Sequence, residues 1–399
     1  MQKVCLDMIY LAACGVNRVK PCDAFLKEIK AKGITKEEGA LNESVINASY
    51  MENLYQMSKV HMLEALVGMT LQQSQISLPK EWTEKISKAV RKNILFDAER
   101  KKIFSFMEQE GIWYMPLKGI LLKDYYPAVG MRQMSDNDIL FDDSFSAKIK
   151  EFMKFHGYEE VSVGQGNHDV YEKEPVYNFE MHRALYIASQ DRNWEEYYRD
   201  IKKRLIRNNA LSYGYHFRDE DFYVYIVCHT YKHYVGRGTG LRSLLDFYVY
   251  LTVKEQEMDL GYVKKECEVL GIAEFEEKSR RLCKKVFSVS DTYDMETFMK
   301  GLSEEEKDML MYYSSSGVYG NTKKYVINRI KEKGKVGFLI SRIFMPFNDM
   351  KNVYPILGNI PVLLPIYWVV RIVKMVFVKK RRRYALGQFR VFFNTVMRK

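Results

Sequence analysis

Two aspartates, Asp136 and Asp138, stand one residue apart in Ser135-Asp136-Asn137-Asp138-Ile139-Leu140-Phe141. On an extended chain alternate residues share a face, so both carboxylates would aim at one point. Side by side they repel each other unless a cation lies between them. Magnesium takes one or two carboxylates together with substrate phosphates, so metal-assisted phosphoryl or nucleotidyl transfer is the chemistry such a pair would serve. A short acidic cluster can equally be a solvated turn. Here the apolar run Ile139-Leu140-Phe141 that follows argues for a buried strand.

A second constellation lies about ninety residues on. His229 and His233 are four apart in a helical pattern and therefore share one face. Thr230 stands where a zinc protease would need glutamate, which excludes that motif. The pair either packs over a substrate site or forms a core pair bonded to Asp246 or to backbone. The tyrosines around it, Tyr223, Tyr225, Tyr231, Tyr234, Tyr248 and Tyr250, could stack bases, but at helical spacing they read first as packing. No nucleic-acid-binding module is recognisable.

The elements that must position these residues follow from the hydrophobic period. Residues 1–110 read as helical: Phe96, Ile103, Phe106 and Met107 recur at helical spacing between charges, and Gly111 stops the helix. Ile112 to Met115 reads as a buried strand, Pro116 to Gly119 as a turn, and Ile120 to Tyr126 as a short helix closed by Pro127. The next strand surrounds Asp138 to Phe141, and Phe145 to Phe155 is a helix. Residues 158–185 return to strands, with Gly164, Gly166 and Asn167 in a loop and Val176 to Leu185 as the last strand. Helices follow over Trp194 to Ile206, Asp219 to Tyr234, Leu241 to Val253 and Met258 to Leu270. The expected fold is α+β: a small mixed-sheet core at 111–190 between helical regions at 1–110 and 191–335, with a basic, apolar tail at 336–399.

Leu117-Lys118-Gly119, a short helix, Arg132, then Asp136-x-Asp138 before apolar residues resembles the uncharacterised nucleotidyltransferase family of bacterial proteins. That family is placed in the DNA polymerase β-like nucleotidyltransferase superfamily. The resemblance extends from the lead-in Glu108 to Ile112 to His229-Thr-Tyr-Lys-His233 and Arg242-Ser-Leu-Leu-Asp246, roughly residues 45–250. It implies a third metal-binding carboxylate from a later strand. Glu180 is the candidate, sharing a face with His182 in Tyr177-Asn-Phe-Glu-Met-His182; Glu172 and Glu174 compete with it, and the plain alternative is an edge-strand glutamate paired with a nearby base. The turn has Lys118-Gly119 where the superfamily usually has Gly-Gly or Gly-Ser. Gly119 still permits close approach of phosphate to backbone and to the following helix start, and Lys118 could bring a point charge to a triphosphate. Arg132 is either a phosphate clamp or a partner of the aspartates. His182, His229, His233 and Arg242 complete the set that the resemblance places around nucleotide.

The bulk properties set limits on partners. The chain has 399 residues, 47% of them apolar, and a net charge of +11 at pH 7 that favours polyanionic partners. Its six cysteines are scattered and contain no Cys-x-x-Cys pair, which fits reduced thiols in a cytoplasmic protein better than a disulfide framework or zinc ribbon. The segment from Pro355 to Arg383 is apolar and then strongly basic. It is interrupted by Arg371 and Lys374 and so does not read as a membrane span. It could lie at the inner, anionic face of a membrane or dock on the protein's own core.

Together the carboxylate geometry and the resemblance imply a nucleotidyltransferase that uses Mg2+ or Mn2+. It would move a nucleoside monophosphate from a triphosphate, with ATP favoured, to a hydroxyl acceptor and release pyrophosphate. Asp136, Asp138 and Glu180 would hold the metal. The competing expectation is a catalytically inactive relative, a membrane-attached binding or regulatory protein.

Overall fold

The computed structural model describes residues 1–33, 43–188, 190–289 and 293–397. Helices α1 (Lys3–Asn17), α2 (Asp23–Gly33), α3 (Glu43–Val60), α4 (Glu64–Gln73) and the long α5 (Lys80–Gln109) precede the first strand. The sheet region then runs β1 (Tyr114–Pro116), α6 (Gly119–Leu122), β2 (Asn137–Phe141), α7 (Ser146–Phe155), β3 (Glu159–Ser162), β4 (His168–Lys173) and β5 (Tyr177–His182). After α8 (Arg192–Tyr198) and the small pair β6 (Ile206–Arg207) and β7 (Tyr215–His216), helices resume. They are α9 (Asp219–Val235), α10 (Leu241–Lys254), α11 (Leu260–Val269), α12 (Ala273–Phe287), α13 (Met295–Lys300), α14 (Glu304–Ser314), α15 (Thr322–Ile343), α16 (Phe347–Val353), α17 (Leu364–Phe377) and α18 (Lys379–Met397).

The five-stranded sheet has the order β1-β2-β5-β4-β3. Only β2 and β5 are parallel; the other neighbours are antiparallel, so the sheet is mixed and the fold is α+β. All five residues of β2 are buried, as a central strand covered on both faces requires. One face of the sheet rests on α5 and α7 through Phe96, Ile103, Phe141, Ile149, Tyr171 and Phe179. Burying a side chain of this kind contributes about 1.5–3 kcal/mol, so this layer fixes the sheet firmly against α5. A second, larger core joins helices from before and after the sheet region: α1 packs on α12, and the Asn17 amide donates to the Phe287 carbonyl at 2.9 Å.

Some elements depart from the sequence reading. Asp136 lies just before β2 rather than within it. The helix expected over Trp194 to Ile206 ends at Tyr198, passes through a 3-10 turn at Ile201–Arg204 and becomes β6. Asp191 caps α8 by accepting from the Trp194 amide, a start signal that the apolar period alone does not reveal. The six cysteines are unpaired, and all except Cys22 are buried. Among the described residues no helix is long and apolar enough to cross a membrane.

Candidate functional site

A cleft opens where the start of β2 meets α6, α9 and α10. Lys118, Gly119, Arg132, Asp136, Asp138, Glu180, His229, His233 and Arg242 all line it. His182 does not. It stands behind the acidic pair, with its Nε2 2.8 Å from Asp138 Oδ1. Glu172 and Glu174, the other candidates for a third carboxylate, are exposed and lie outside the cleft.

The segment entering β2 is held from beneath by one face of α5. The Lys92 ammonium donates to the Ser135 carbonyl at 3.1 Å, the Asn93 amide to the Arg132 carbonyl at 3.3 Å, and the Arg100 guanidinium to Asn137 Oδ1. Glu180 arrives from the neighbouring strand because Asp138 and Glu180 are register partners in the parallel β2–β5 pair. Three carboxylates therefore border one cleft, two of them by adjacent strands and the third from the residue before β2.

The two aspartates have different surroundings. Burial would raise the Asp138 carboxyl, but the Lys118 ammonium at 2.6 Å and the His182 ring override it and hold the group well below the usual carboxylate range. Asp136 is raised, first by burial and then by the charge of Asp138. Lys118 itself is half-buried and stays firmly protonated: desolvation opposes its charge, and Asp138, Glu180 and Asp136 outweigh that effect. Its backbone has φ 45° and ψ −116°, a conformation that suits glycine better than lysine.

Arg132 turns away from the acidic pair. Its Nε and Nη2 form a bidentate pair with Asp246 at 2.8 and 2.9 Å, and the Tyr126 hydroxyl donates to the same carboxylate at 2.8 Å. This buried clamp ties the turn before β2 to α10. Gly119 makes room for it: a Cβ there would lie 2.4 Å from Arg132 Nη1. Arg242, one helical turn before Asp246, donates to the Gln133 carbonyl at 3.1 Å. Among the described residues no carboxylate pairs with its guanidinium, which leaves a cation bordering the cleft.

His229 and His233 meet edge to face on α9, with ring centroids 4.6 Å apart. Desolvation inside the cleft lowers the His229 ring, and the charges of Lys118 and His233 add to it. His233 is exposed by surface area, at the cleft mouth, while His229 is deeper. Neither bonds Asp246, whose oxygens go to Arg132 and Tyr126. Of the surrounding tyrosines, Tyr223, Tyr225, Tyr248 and Tyr250 are buried in the helical core.

Two cleft neighbours had no local sequence signal: Lys92 belongs to a helix more than forty residues upstream, and Tyr319 reaches the cleft from the loop after α14. Asp246, singled out in the sequence, is engaged by Arg132. His168, opposite His182 in the β4–β5 register, was likewise hidden because strand pairing is not written in either strand alone.

No curated protein and no solved structure matches the chain. A family model described as uncharacterised nucleotidyltransferase matches residues 47–288, more than half of the sequence, and the chain belongs to that family.

Proposed function

We propose that the cleft transfers a nucleoside monophosphate from a nucleoside triphosphate, ATP in the first instance, to a hydroxyl acceptor, as a member of the DNA polymerase β-like superfamily. The observation that carries this reading is the meeting of Asp136, Asp138 and Glu180 with Lys118 and Arg242 around one cavity. The donor set suits Mg2+ or Mn2+: carboxylate oxygens alone face the cleft from the sheet, and an ammonium already seated on Asp138 marks a position where positive charge is favoured. Asp136, Asp138 and Glu180 would hold the ion, which when bound neutralises charge on the triphosphate and orients it.

The chain's own groups divide the remaining work. Arg242 and Lys118 attract the phosphates, while Arg132, locked on Asp246, keeps the turn and α10 at a fixed distance. The His229 ring, held neutral by its desolvation, offers hydrogen bonds without adding charge. The cleft, about 230 Å³, opens to solvent beside Tyr319, which leaves room for a nucleoside beyond the phosphates. In the transfer, the acceptor oxygen forms a bond to the α-phosphorus, the bond to the bridging oxygen breaks, and pyrophosphate leaves with that electron pair. The hydroxyl proton passes to water.

Calorimetry with ATP and Mg2+ tests the reading. Wild type should bind nucleotide only when Mg2+ is present, and Asp136→Asn should abolish that dependence; unchanged binding in the variant would remove the metal assignment. One observation favours the inactive alternative, namely that Lys118 occupies the charge of Asp138. Mg2+-dependent binding with no label transferred from α-labelled ATP to any molecule of a cell extract would support that second reading.

A further inference from the structure

The β4–β5 register places His168 opposite His182, and the β2–β5 register places Asp138 opposite Glu180. Four potential ligands from three strands thus share one face of the sheet; Asp138 and Glu180 line the cleft, while His168 and His182 stand outside its lining. His168 Nε2 lies 3.5 Å from Glu180 Oε2, and His182 Nε2 lies 3.7 Å from the same oxygen. One ligand atom from each of these three residues lies within 4.8 Å of the others. Donors about 2.1 Å from an ion at tetrahedral angles stand roughly 3.4 Å from one another, so both imidazoles are already near ligand spacing from Glu180 and need only close on each other.

We propose that His168, His182 and Glu180, with Asp138 at their edge, hold a divalent transition ion of the kind that accepts imidazole, distinct from the oxygen-bound ion of the cleft and sharing Glu180 with it. Imidazole donors favour Mn2+, Co2+ or Zn2+ over Mg2+, which keeps oxygen ligands and water. His182 is almost fully buried, whereas the side chains of Glu180 and His168 are 23% and 32% exposed, so the ion has an anchored side and an open side for entry. An ion at His182 Nε2 would take the place of this nitrogen's 2.8 Å contact with Asp138 Oδ1. His182 Nδ1 is buried and has no hydrogen-bond partner among the described residues. The inference adds a second ion beside the one proposed for the cleft, and it rests on that reading only for Glu180 being shared.

The test uses the full chain, freed of metal with a chelator and without nucleotide. Free Mn2+ is followed by electron paramagnetic resonance during titration, Mg2+ competes, and Co2+ reports imidazole ligation by its visible bands. Wild type should bind Mn2+ in preference to Mg2+, and His168→Ala should reduce that preference at least about tenfold and weaken the Co2+ bands. Thermal melting of the metal-free variant checks its fold, and His168→Gln, which keeps a polar side chain, provides a second variant. The proposal is overturned if both His168 variants retain wild-type Mn2+ preference, or if Mn2+ binding is lost only in Asp136→Asn. Because nucleotide is not used, a failure of the transferase reading leaves this measurement intact.

Discussion

At the scale of single residues, Asp136 and Asp138 differ in what faces them. Asp138 has Lys118 and His182 as bonded partners, whereas Asp136 is raised by burial and by the charge next to it. A carboxyl raised in the folded state detracts from stability wherever it is ionised, and the deficit fades as pH falls through its folded value. Asp136→Asn should therefore stabilise the metal-free protein at neutral pH while removing Mg2+-dependent nucleotide binding, and its advantage should shrink as pH falls toward the acid range. Lys118→Met should act in the opposite sense. It leaves the buried Asp138 charge with His182 alone, and breaking a buried pair in this way costs about 3 kcal/mol. Urea unfolding of the three proteins at pH 7 and at lower pH checks both signs; an unchanged or lowered midpoint for Asp136→Asn would show that its carboxylate is not strained by its neighbour.

At the scale of elements, local pattern carries much of the arrangement, and long-range pairing carries the remainder. The strand–turn–helix from Ile112 to Tyr126 and the strand after Asp136 are legible because their periods change abruptly at Gly111 and Pro127. Glu180 and His182 could be read as sharing a face from alternation alone. The Arg132–Asp246 clamp could not, since its partners are separated by 114 residues and each has an ordinary local setting. It also gives Gly119 a packing role in addition to the phosphate approach read from sequence. Gly119→Ala would drive a methyl into the Arg132 guanidinium and should destabilise the protein by about 1–3 kcal/mol even without nucleotide. Denaturant melts measure this directly, and a wild-type midpoint would show that Arg132 can yield without loss.

At the scale of the whole molecule, charge and exposure coincide in the tail. From Met350 onward the sequence has eleven lysines and arginines and no aspartate or glutamate, which accounts for the entire +11 of the chain. Along α17 and the turn before it, Val362, Ile366, Val369, Val373, Val376 and Phe377 are all exposed, spaced as one helical stripe. The basic cluster at the start of α18 adjoins this stripe, although the side chains of Lys380 and Arg381 lie outside the described residues. An apolar stripe with a cationic border complements an anionic bilayer surface, where each basic group near the headgroups adds about 1 kcal/mol and salt screens that part. The other side of the tail is already engaged: Phe392 of α18 stacks on Phe338 of α15 with centroids 5.3 Å apart. Truncation at Val353 would uncover α15, so substitution on the stripe is the cleaner experiment. The full chain should sediment with vesicles containing anionic phospholipid, less at high salt and little with zwitterionic vesicles, and Val369→Asp with Val376→Asp should abolish binding without lowering the melting temperature. If the pair of substitutions leaves sedimentation unchanged, or instead splits a dimer that never bound vesicles, the stripe belongs to some surface other than a membrane.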